Sequence, residues 1–325
     1  MEPLVSVIVP NYNHEKYLEQ RLDTIFNQTY SNFEVILLDD CSTDESRSIL
    51  LKYAKNIKVS HCIFNENNSG NTFIQWNKGI SLAKGEYIWI AESDDFCSEN
   101  FIEKVLYPLI HNQDVVLSYC QSNKVNENGE LIGNWLQYTS KFNTPLFEND
   151  FIIEGKDFIE KFLVFRNVIP NASAVIFRKP ELSEIEYLKH ESLRCNGDWI
   201  FYTQLIWSKT ISFIKDSENN FRYHSKSVIA TSVKTEPFNI TLDIIIQMRK
   251  KMISYFLLQD PNKTLNIIKQ NRYLIKVLKY EQALFLIRNN QKVKGILILT
   301  SVLDVFLKKY KFRKSISLKM KHILS

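Results

Sequence analysis

Short apolar runs alternate with amphipathic stretches over the first hundred residues. Four runs rich in β-branched and aromatic residues predict buried strands: 4–10, 32–40, 57–64 and 86–91. Between them, apolar residues recur at helical spacing in three stretches: 15–28, about 43–54 and about 72–83. Strands separated by helices indicate an α/β protein with a mostly parallel, doubly wound sheet flanked by helices.

The pattern changes twice further along the chain. After residue 100 it is mixed, with helices predicted at 99–111, 155–165 and 197–207, strands at 114–121 and 173–178, and two short closing strands in "ISFI" and "NFRYH". From about Phe238 it is helical only, with a helical hairpin turning at Asn289-Asn290. We therefore expect a first domain over 1–235 and a helical C-terminal extension over 236–325.

Polar residues follow three of the predicted strands. "PNYN" comes after the first strand, Asp39-Asp40 after the second and Asp94-Asp95 after the fourth. In such sheets, ligands bind beyond the carboxyl ends of the strands, so these residues should share one edge. Adjacent carboxylates there suit a hard divalent cation, Mn²⁺ or Mg²⁺. The alternative is that Asp94-Asp95 caps the helix predicted at 99–111.

Composition narrows the class of protein. The 325 residues are 45% hydrophobic, enough for a substantial core, and no apolar run reaches the ~18 residues of a membrane-spanning helix. Five scattered cysteines without a C-x-x-C pair argue against a disulfide framework or a zinc knuckle. The N-terminus resembles a first strand rather than a signal peptide. These features favour a reducing, cytoplasmic location.

Charge is distributed unevenly. From Lys292 onward nine Lys or Arg face one Asp, giving +8, which leaves −3 for residues 1–291 of a chain whose net charge is +5. A basic tail on a slightly acidic body indicates peripheral contact with an anionic membrane at the inner face of the cell membrane. A solvated helix face explains the same charges equally well. Basic residues without interleaved aromatics argue against nucleic acid as a partner.

Several motifs in order carry a family resemblance. The stretch "VSVIVPNYNHEKYLEQRLDTIFNQTYSNFEVILLDDCSTDES", then "NSGN", "NKGISLAKGEYIWIAESDD" and "GDW", resembles a family 2 inverting glycosyltransferase with the GT-A fold, over residues 4–225. The resemblance implies a donor-binding half at about 1–97 and an acceptor-binding half at about 98–235. It implies a metal-dependent hexosyltransferase that moves a sugar from a UDP-linked donor to a saccharide or lipid-linked acceptor in surface polysaccharide synthesis.

Donor-site residues follow from the same resemblance. Pro10, Tyr12 and Asn13 match the loop that packs around the nucleotide base and ribose. Asp40 matches the carboxylate that binds the base, and a carboxylate acceptor suits the N3–H of uracil. Asn77 matches a position that faces the donor. The surrounding "SGNTFIQWNKGI" lacks the arginine that family members often carry there, which removes one expected phosphate contact.

The metal-binding motif matches Ser93-Asp94-Asp95. In that alignment Asp94 contacts the ribose, Asp95 binds the metal, and His224 in "FRYHS" supplies a further ligand. A frame shifted by one residue, Glu92-Ser93-Asp94, is the alternative.

Asp198 matches the catalytic base of the family. An inverting transferase performs one in-line displacement, so a carboxylate must take the proton of the acceptor hydroxyl. The alternative role is helix capping, since Asp198 precedes a helical run. Asn171 and Ser173, in "VIPNASAVIFRK", match a segment below the acceptor, where they either bind sugar hydroxyls or satisfy a buried turn.

A second function class shares these motifs. A catalytically silent nucleotide-sugar-binding or assembly subunit would keep the fold and the donor site but transfer nothing. The joint presence of the strand-end carboxylates and Asp198 favours the enzyme.

Overall fold

The structure is a computed structural model that describes residues 2–180, 196–224 and 238–309. The chain forms two compact units, Met1–Ser227 and Val228–Ser325. Several basic residues of the predicted tail, from Lys311 onward, lie outside the described residues.

One mixed sheet forms the centre of the first unit. Its ten described strands are β1 (Val5–Asn11), β2 (Phe33–Asp39), β3 (Val59–Phe64), β4 (Tyr87–Ile90), β5 (Phe96–Cys97), β6 (Val115–Val125), β7 (Leu131–Asn134), β8 (Phe151–Glu154), β9 (Val175–Arg178) and β10 (Thr210–Arg222). The order across the sheet is β3-β2-β1-β4-β9-β6-β10-β5, with β7 beside β6 and β8 beside β10.

Helices connect these strands. They are α1 (Glu15–Phe26), α2 (Ser46–Tyr53), α3 (Thr72–Leu82), α4 (Phe101–His111), α5 (Leu136–Thr139), α6 (Gly155–Phe158) and α7 (Gly197–Ile206). A π-helical turn (Ile159–Leu163) continues α6, and short 3₁₀ turns occur at Ser140–Phe142, Leu146–Glu148 and Ala172–Ala174.

The two halves of the sheet differ in direction. The strands β3, β2, β1 and β4 are parallel, as the alternating pattern predicts. Beyond them β9 runs antiparallel to both β4 and β6, so the sheet is mixed. The two predicted closing strands are one continuous strand, β10, whose register against β6 shifts three times.

Register brings the polar strand ends together. Asn11 pairs with Asp39 in the parallel ladder between β1 and β2, and the Nδ2 of Asn11 donates to Oδ1 of Asp39 at 3.0 Å. Every residue of β1, β2 and β4 is buried, which explains their continuous apolar runs. Helix α3 lies so close to β1 that a Cβ at Gly79 would stand 2.3 Å from Cγ2 of Ile8.

The second unit is helical in the part described. It comprises α8 (Phe238–Leu257), α9 (Pro261–Arg288), α10 (Lys292–Ser301) and α11 (Leu303–Lys309), so the predicted turn at Asn289-Asn290 separates two helices. Asp260 caps α9 by accepting from the backbone N–H of Asn262. Of the helices described, none is both long and apolar enough to cross a membrane.

Candidate active site

The loops that follow β1 and β2 are joined by side-chain hydrogen bonds. Asn13, whose φ is 56°, accepts from the backbone N–H of Thr43 at 2.8 Å, and its own N–H donates to the Ser42 hydroxyl at 2.9 Å. Pro10 is buried at the end of β1, whereas the ring of Tyr12 is 44% exposed. The loop is therefore held in place with one aromatic ring facing solvent.

Asp40 ties the next loop and α3 to the end of β2. Its carboxylate accepts from Asn65 Nδ2 at 2.7 Å, from the Ser69 hydroxyl at 2.7 Å and from Gln75 Nε2 at 2.9 Å. Asn77, one turn from the start of α3, is half-buried. Asp40, directly after β2, and helix α3, which carries Asn77, therefore belong to one region.

Asp94 lies between two imidazoles. Its Oδ2 is 3.0 Å from Nε2 of His224, and single ligand atoms of His14, Asp94 and His224 all lie within 4.8 Å of one another. The rings of His14 and His224 are 5.5 Å apart, edge to face. Two neighbouring ligands of an octahedral ion bound at ~2.1 Å stand about 3 Å apart, so the spacing between Asp94 and His224 fits a divalent cation.

Electrostatics keeps Asp94 ionised. Burial alone would raise the pKa of Asp94, but the hydrogen bond from His224 and the charge of His14 lower it below its ordinary value. The Nδ1 atom of His14 lies 2.7 Å from the Ser93 hydroxyl, which fixes the orientation of the ring. An ionised carboxylate with two oriented imidazoles is a suitable ligand set for a metal.

Asp95 has hydrogen-bond partners outside this cluster. Its carboxylate accepts from the backbone N–H of Arg222 at 3.0 Å and from the side-chain amide of Asn171, and the residue is 1% exposed. Burial and the neighbouring charge of Asp94 raise the pKa of Asp95. The resemblance assigns the metal to Asp95, but this geometry favours Asp94. The capping alternative is wrong, because α4 has Asn100 as its N-cap residue.

Glu92 completes a group of three neighbouring acids. Its Oε1 accepts from Nε1 of Trp76 at 3.0 Å, and burial together with Asp94 raises its pKa to about 8. Trp76 is 2% exposed and packs against Phe73 and Phe201, as expected of a core residue. In the alternative alignment, Glu92-Ser93-Asp94, the last residue of the motif is Asp94, and Asp94 is the residue that lies beside His14 and His224.

Two arginines supply positive charge that adjacent buried carboxylates need. The guanidinium of Arg21 is fully buried and lies 4.7 Å from the centroid of the Trp89 ring. Burial raises the pKa of Glu92 and of Asp95, and the positive charge of Arg21 reduces that rise. Arg222 donates from Nε to the backbone carbonyl of Asp94 at 2.8 Å. These contacts offset part of the repulsion among the acids.

Asp198 lies in the first turn of α7. It accepts from Nδ2 of Asn167 at 2.9 Å, and burial raises its pKa to about 6 despite that hydrogen bond. The N-cap residue of α7 is Asn196, in the left-handed region with φ 62°, so the capping alternative for Asp198 is wrong. A carboxylate with a pKa near 6 is ionised at neutral pH yet basic enough to accept a proton.

Packing brings Asp198 to the donor side of the sheet. The chain at Gly197 is so close to Phe73 of α3 that a Cβ there would stand 2.5 Å from its ring. Two residues further along α3, Gln75 donates to Asp40. The buried phenol of Tyr202 has its pKa raised by burial and by the charges of both Asp198 and Glu92. The acids at the ends of β2 and β4 and at the start of α7 therefore belong to one region.

Sequence reasoning misses several residues of this region. It assigns no role to His14, although this residue directly follows the "PNYN" loop. Arg21 occupies the apolar face of α1 with Leu18 and Leu22, and a charge on a buried helix face is a detectable signal. Asn167 carries no signal, because its contact with Asp198 spans 31 residues.

Asn171 and Ser173, in the segment expected below the acceptor, form hydrogen bonds with groups at the end of β4. The hydroxyl of Ser173 accepts from the backbone N–H of Glu92 at 3.1 Å, and the amide of Asn171 donates to Asp95. Of the two roles that the sequence leaves open for this segment, these contacts favour the buried turn.

The chain matches the model of "Glycosyl transferase family 2" over residues 6–168. It is 31% identical over 248 residues to the glycosyltransferase GlyG of Streptococcus pneumoniae serotype 4, covering 71% of this chain and 74% of GlyG. It is 27% identical over 319 residues to an uncharacterized glycosyltransferase of Haemophilus influenzae, covering 90% and 95% of the two chains.

Solved structures agree on the fold. The crystal structure of S. aureus TarS 1–349 in complex with UDP-GlcNAc aligns with a TM-score of 0.61 at 17% identity, covering 90% of this chain and 88% of that one. The crystal structure of TarS 1–349 in complex with UDP aligns with a TM-score of 0.56 at 18% identity and the same coverage. The likeness confirms the expected GT-A architecture, a mixed sheet flanked by helices with helices at the C-terminal end.

Proposed function

Because the chain belongs to glycosyl transferase family 2, we propose that it is a metal-dependent, inverting enzyme that transfers a sugar from a UDP-linked donor to a saccharide or lipid-linked acceptor. The observation that carries the proposal is the pairing of a possible metal site at His14, Asp94 and His224 with a half-buried carboxylate, Asp198, whose pKa is raised to about 6. A role in surface polysaccharide synthesis follows from this choice of acceptors.

The donor binds at the ends of β1 and β2. Tyr12 offers an exposed ring to the base, while Pro10 and Asn13 shape the loop beneath it. The base N3–H joins or replaces the present donors to the Asp40 carboxylate, and Asn77 faces the donor from α3. The complexes of TarS with UDP and UDP-GlcNAc support a uridine donor.

Asp94, His224 and His14 would hold the cation. It would supply positive charge that neutralises the departing diphosphate. Mixed nitrogen and oxygen ligands favour Mn²⁺ over Mg²⁺, because Mg²⁺ binds through oxygen in nearly all protein sites. Asp95 supports this site from beneath by holding the backbone of Arg222.

Asp198 acts as the general base. As the acceptor oxygen attacks the anomeric carbon, its proton passes to the Asp198 carboxylate and the sugar–diphosphate bond breaks on the opposite side. Asn167 orients the carboxylate by donating to its Oδ2 atom. Inversion results from the single displacement, so no protein nucleophile is required.

A donor panel tests the proposal. We expect UDP and at least one UDP-sugar to raise the melting temperature in the presence of Mn²⁺, with a smaller rise in EDTA, because a ligand that binds only the folded state stabilises it. We also expect release of UDP when that donor is incubated with a saccharide acceptor. No stabilisation by any nucleoside diphosphate would contradict the assigned donor site. Tight binding without turnover over a broad acceptor panel would favour the catalytically silent subunit.

The helical extension provides a surface for anionic lipid. Helix α10 displays exposed Val293 and Leu297, with 75% and 66% of their surfaces accessible, beside Lys292 and Lys294. Apolar side chains beside lysines are typical of helices that lie on membranes at the interface. We propose that this surface holds the enzyme at the inner face of the cell membrane, where lipid-linked acceptors reside.

Sedimentation with vesicles tests this surface. We expect binding to phosphatidylglycerol vesicles at low salt that weakens at least severalfold at high salt, and weak binding to phosphatidylcholine vesicles. The double variant Lys292→Glu and Lys294→Glu should reduce binding, whereas Lys141→Glu, an exposed lysine of the first unit, should not. Binding that ignores both salt and the double variant would contradict the proposal.

A further inference from the structure

An aromatic and basic cluster lies in the second half of the first unit, among the elements β6, α5 and β10. Its members are all half-buried: Lys124, Trp135, Tyr138, Arg166, Phe221 and Tyr223. The ring of Trp135 is 4.9 Å from that of Tyr138 and 5.8 Å from that of Phe221. The cluster is continuous, since the rings of Phe221 and Tyr223 are also 4.9 Å apart.

Both cations of the cluster lie over its rings. Nζ of Lys124 is 4.7 Å from the centroid of Trp135 and 6.0 Å from that of Tyr223, and Cζ of Arg166 is 4.5 Å from that of Tyr138. Neither cation forms an ion pair with a carboxylate of residues 2–180, 196–224 or 238–309. Within those ranges, the aromatic surface therefore carries two positive charges without an acidic partner.

Two hydrogen-bond donors in the cluster have no acceptor within the described part of the chain. These donors, Nε1 of Trp135 and Nη1 of Arg166, are both buried. Leaving a buried donor unsatisfied is unfavourable, so such donors normally serve a ligand or an ordered water. Here the indole N–H belongs to the ring beneath Lys124, and the guanidinium of Arg166 lies over the ring of Tyr138.

Chain connections place the cluster beside the reacting groups. Arg166 directly precedes Asn167, whose amide donates to Asp198. Tyr223 directly precedes His224, which contacts Asp94.

We propose that this cluster is an acceptor subsite that binds an anionic group of the acceptor saccharide, a phosphodiester or a uronate carboxylate. The proposal rests on the proposed function and specifies the class of its acceptor. Arg166 binds the anion through its planar fork and Lys124 adds a point charge. The rings of Trp135 and Tyr138 pack against the apolar face of the adjoining sugar, while the indole N–H donates to one of its hydroxyls.

A neutral acceptor fits this arrangement less well. Aromatic rings alone would bind a neutral sugar, and the two cations would then have no function in the subsite. Contacts with the aromatic rings hold both cations in place, and both stay half-buried without a carboxylate partner in the described residues, so they are available to an anion. Arg166 directly precedes Asn167, so the proposed subsite is one residue along the chain from the amide that contacts Asp198.

Binding of defined oligosaccharides tests the proposal without turnover. The probes are a hyaluronan tetrasaccharide for the uronate, a glycerol phosphate oligomer for the phosphodiester and chitotetraose as the neutral reference, each titrated by calorimetry against the full chain. We expect at least one anionic probe to bind about tenfold or more tightly than chitotetraose, and the stronger of the two identifies the anion. This preference should shrink as salt is raised.

Variants connect that preference to the cluster. Arg166→Gln and Lys124→Gln should each weaken binding of the anionic probe by about tenfold or more, as expected for charge-assisted hydrogen bonds. They should leave the affinity for UDP with Mn²⁺ unchanged. Arg166→Lys should lie between Arg166→Gln and the native protein. Lys215→Gln, an exposed lysine of β10 outside the cluster, serves as the matched control.

Three results would overturn the proposal. They are equal affinity for anionic and neutral probes, binding of none of the probes by a chain that binds UDP, and anion binding that survives both glutamine variants. Loss of UDP affinity in the same variants would show that the cluster supports the donor site or the fold instead. Failure of the proposed function is distinguishable, because it would appear as absent UDP binding in the native protein.

Discussion

Asp198→Asn is expected to lower kcat by about 10³-fold while the affinity for UDP with Mn²⁺ stays within about twofold of the native value. Asparagine keeps the size of the side chain and an oxygen that accepts from Asn167. It cannot take a proton from the acceptor hydroxyl, and a positioned general base contributes ~10²–10⁴-fold to such reactions. Initial rates of UDP release with acceptor present measure kcat, and calorimetry measures UDP binding.

The pH profile of the native enzyme gives a second readout of the same residue. Burial raises the pKa of Asp198 to about 6, so the carboxylate is protonated below that pH and cannot act as a base. Activity should therefore fall as the pH drops below about 6 and level off above about 7. Asn167→Ala removes a donor that stabilises the charged form, so it should move this acidic limb to higher pH.

Two controls separate chemistry from folding. Asp216→Asn alters an exposed acid of the same unit and should leave kcat unchanged. The melting temperature of Asp198→Asn should not fall, because a buried charge is replaced by a neutral group of the same shape. Full turnover by Asp198→Asn would remove the base assignment, and loss of UDP affinity together with turnover would indicate a structural role.

The donor edge could be predicted from the sequence because two local rules agree there. Continuous apolar runs identify β1, β2 and β4 as buried parallel strands, and ligands bind where such strands end. The pairing of Asn11 with Asp39 follows directly from parallel register. The second half of the sheet could not be predicted in this way, because β9 enters between β4 and β6 in the antiparallel direction. That choice depends on contacts distant in sequence.

The orientation of individual side chains was also beyond the sequence. Asp94 and Asp95 follow β4 in a turn in which the N–H of Asp95 donates to the carbonyl of Glu92, and the side-chain directions in such a turn depend on its backbone geometry. Motif spacing locates Asp94 and Asp95 but does not determine which one faces His224. His14 shows the same limit: the sequence identifies its loop, while its contact with Ser93, 79 residues away, depends on the folded chain.

The matched pair Asp94→Asn and Asp95→Asn distinguishes the two possible metal ligands. We expect Asp94→Asn to abolish most of the Mn²⁺-dependent gain in UDP affinity and to lower kcat by about 10³-fold. The substitution removes the carboxylate that contacts His224, and metal stabilisation of a leaving diphosphate contributes several kcal/mol. Manganese EPR, which distinguishes free from bound ion, measures occupancy independently of activity.

Asp95→Asn should retain Mn²⁺ binding within about threefold. Its two oxygens accept separately, one from Asn171 and the other from the backbone N–H of Arg222, so the single oxygen of asparagine keeps one of these contacts and loses the other. Removing a negative charge beside Asp94 relieves repulsion between neighbouring acids and offsets part of that loss, so the chain should remain folded with a small change in melting temperature. The reverse outcome, with Mn²⁺ lost from Asp95→Asn and kept by Asp94→Asn, would return the metal to Asp95. The variant His14→Ala then tests whether His14 is a third metal ligand or only a neighbour of the site. If His14 is a ligand, the variant should bind Mn²⁺ more weakly even though Asp94 and His224 remain.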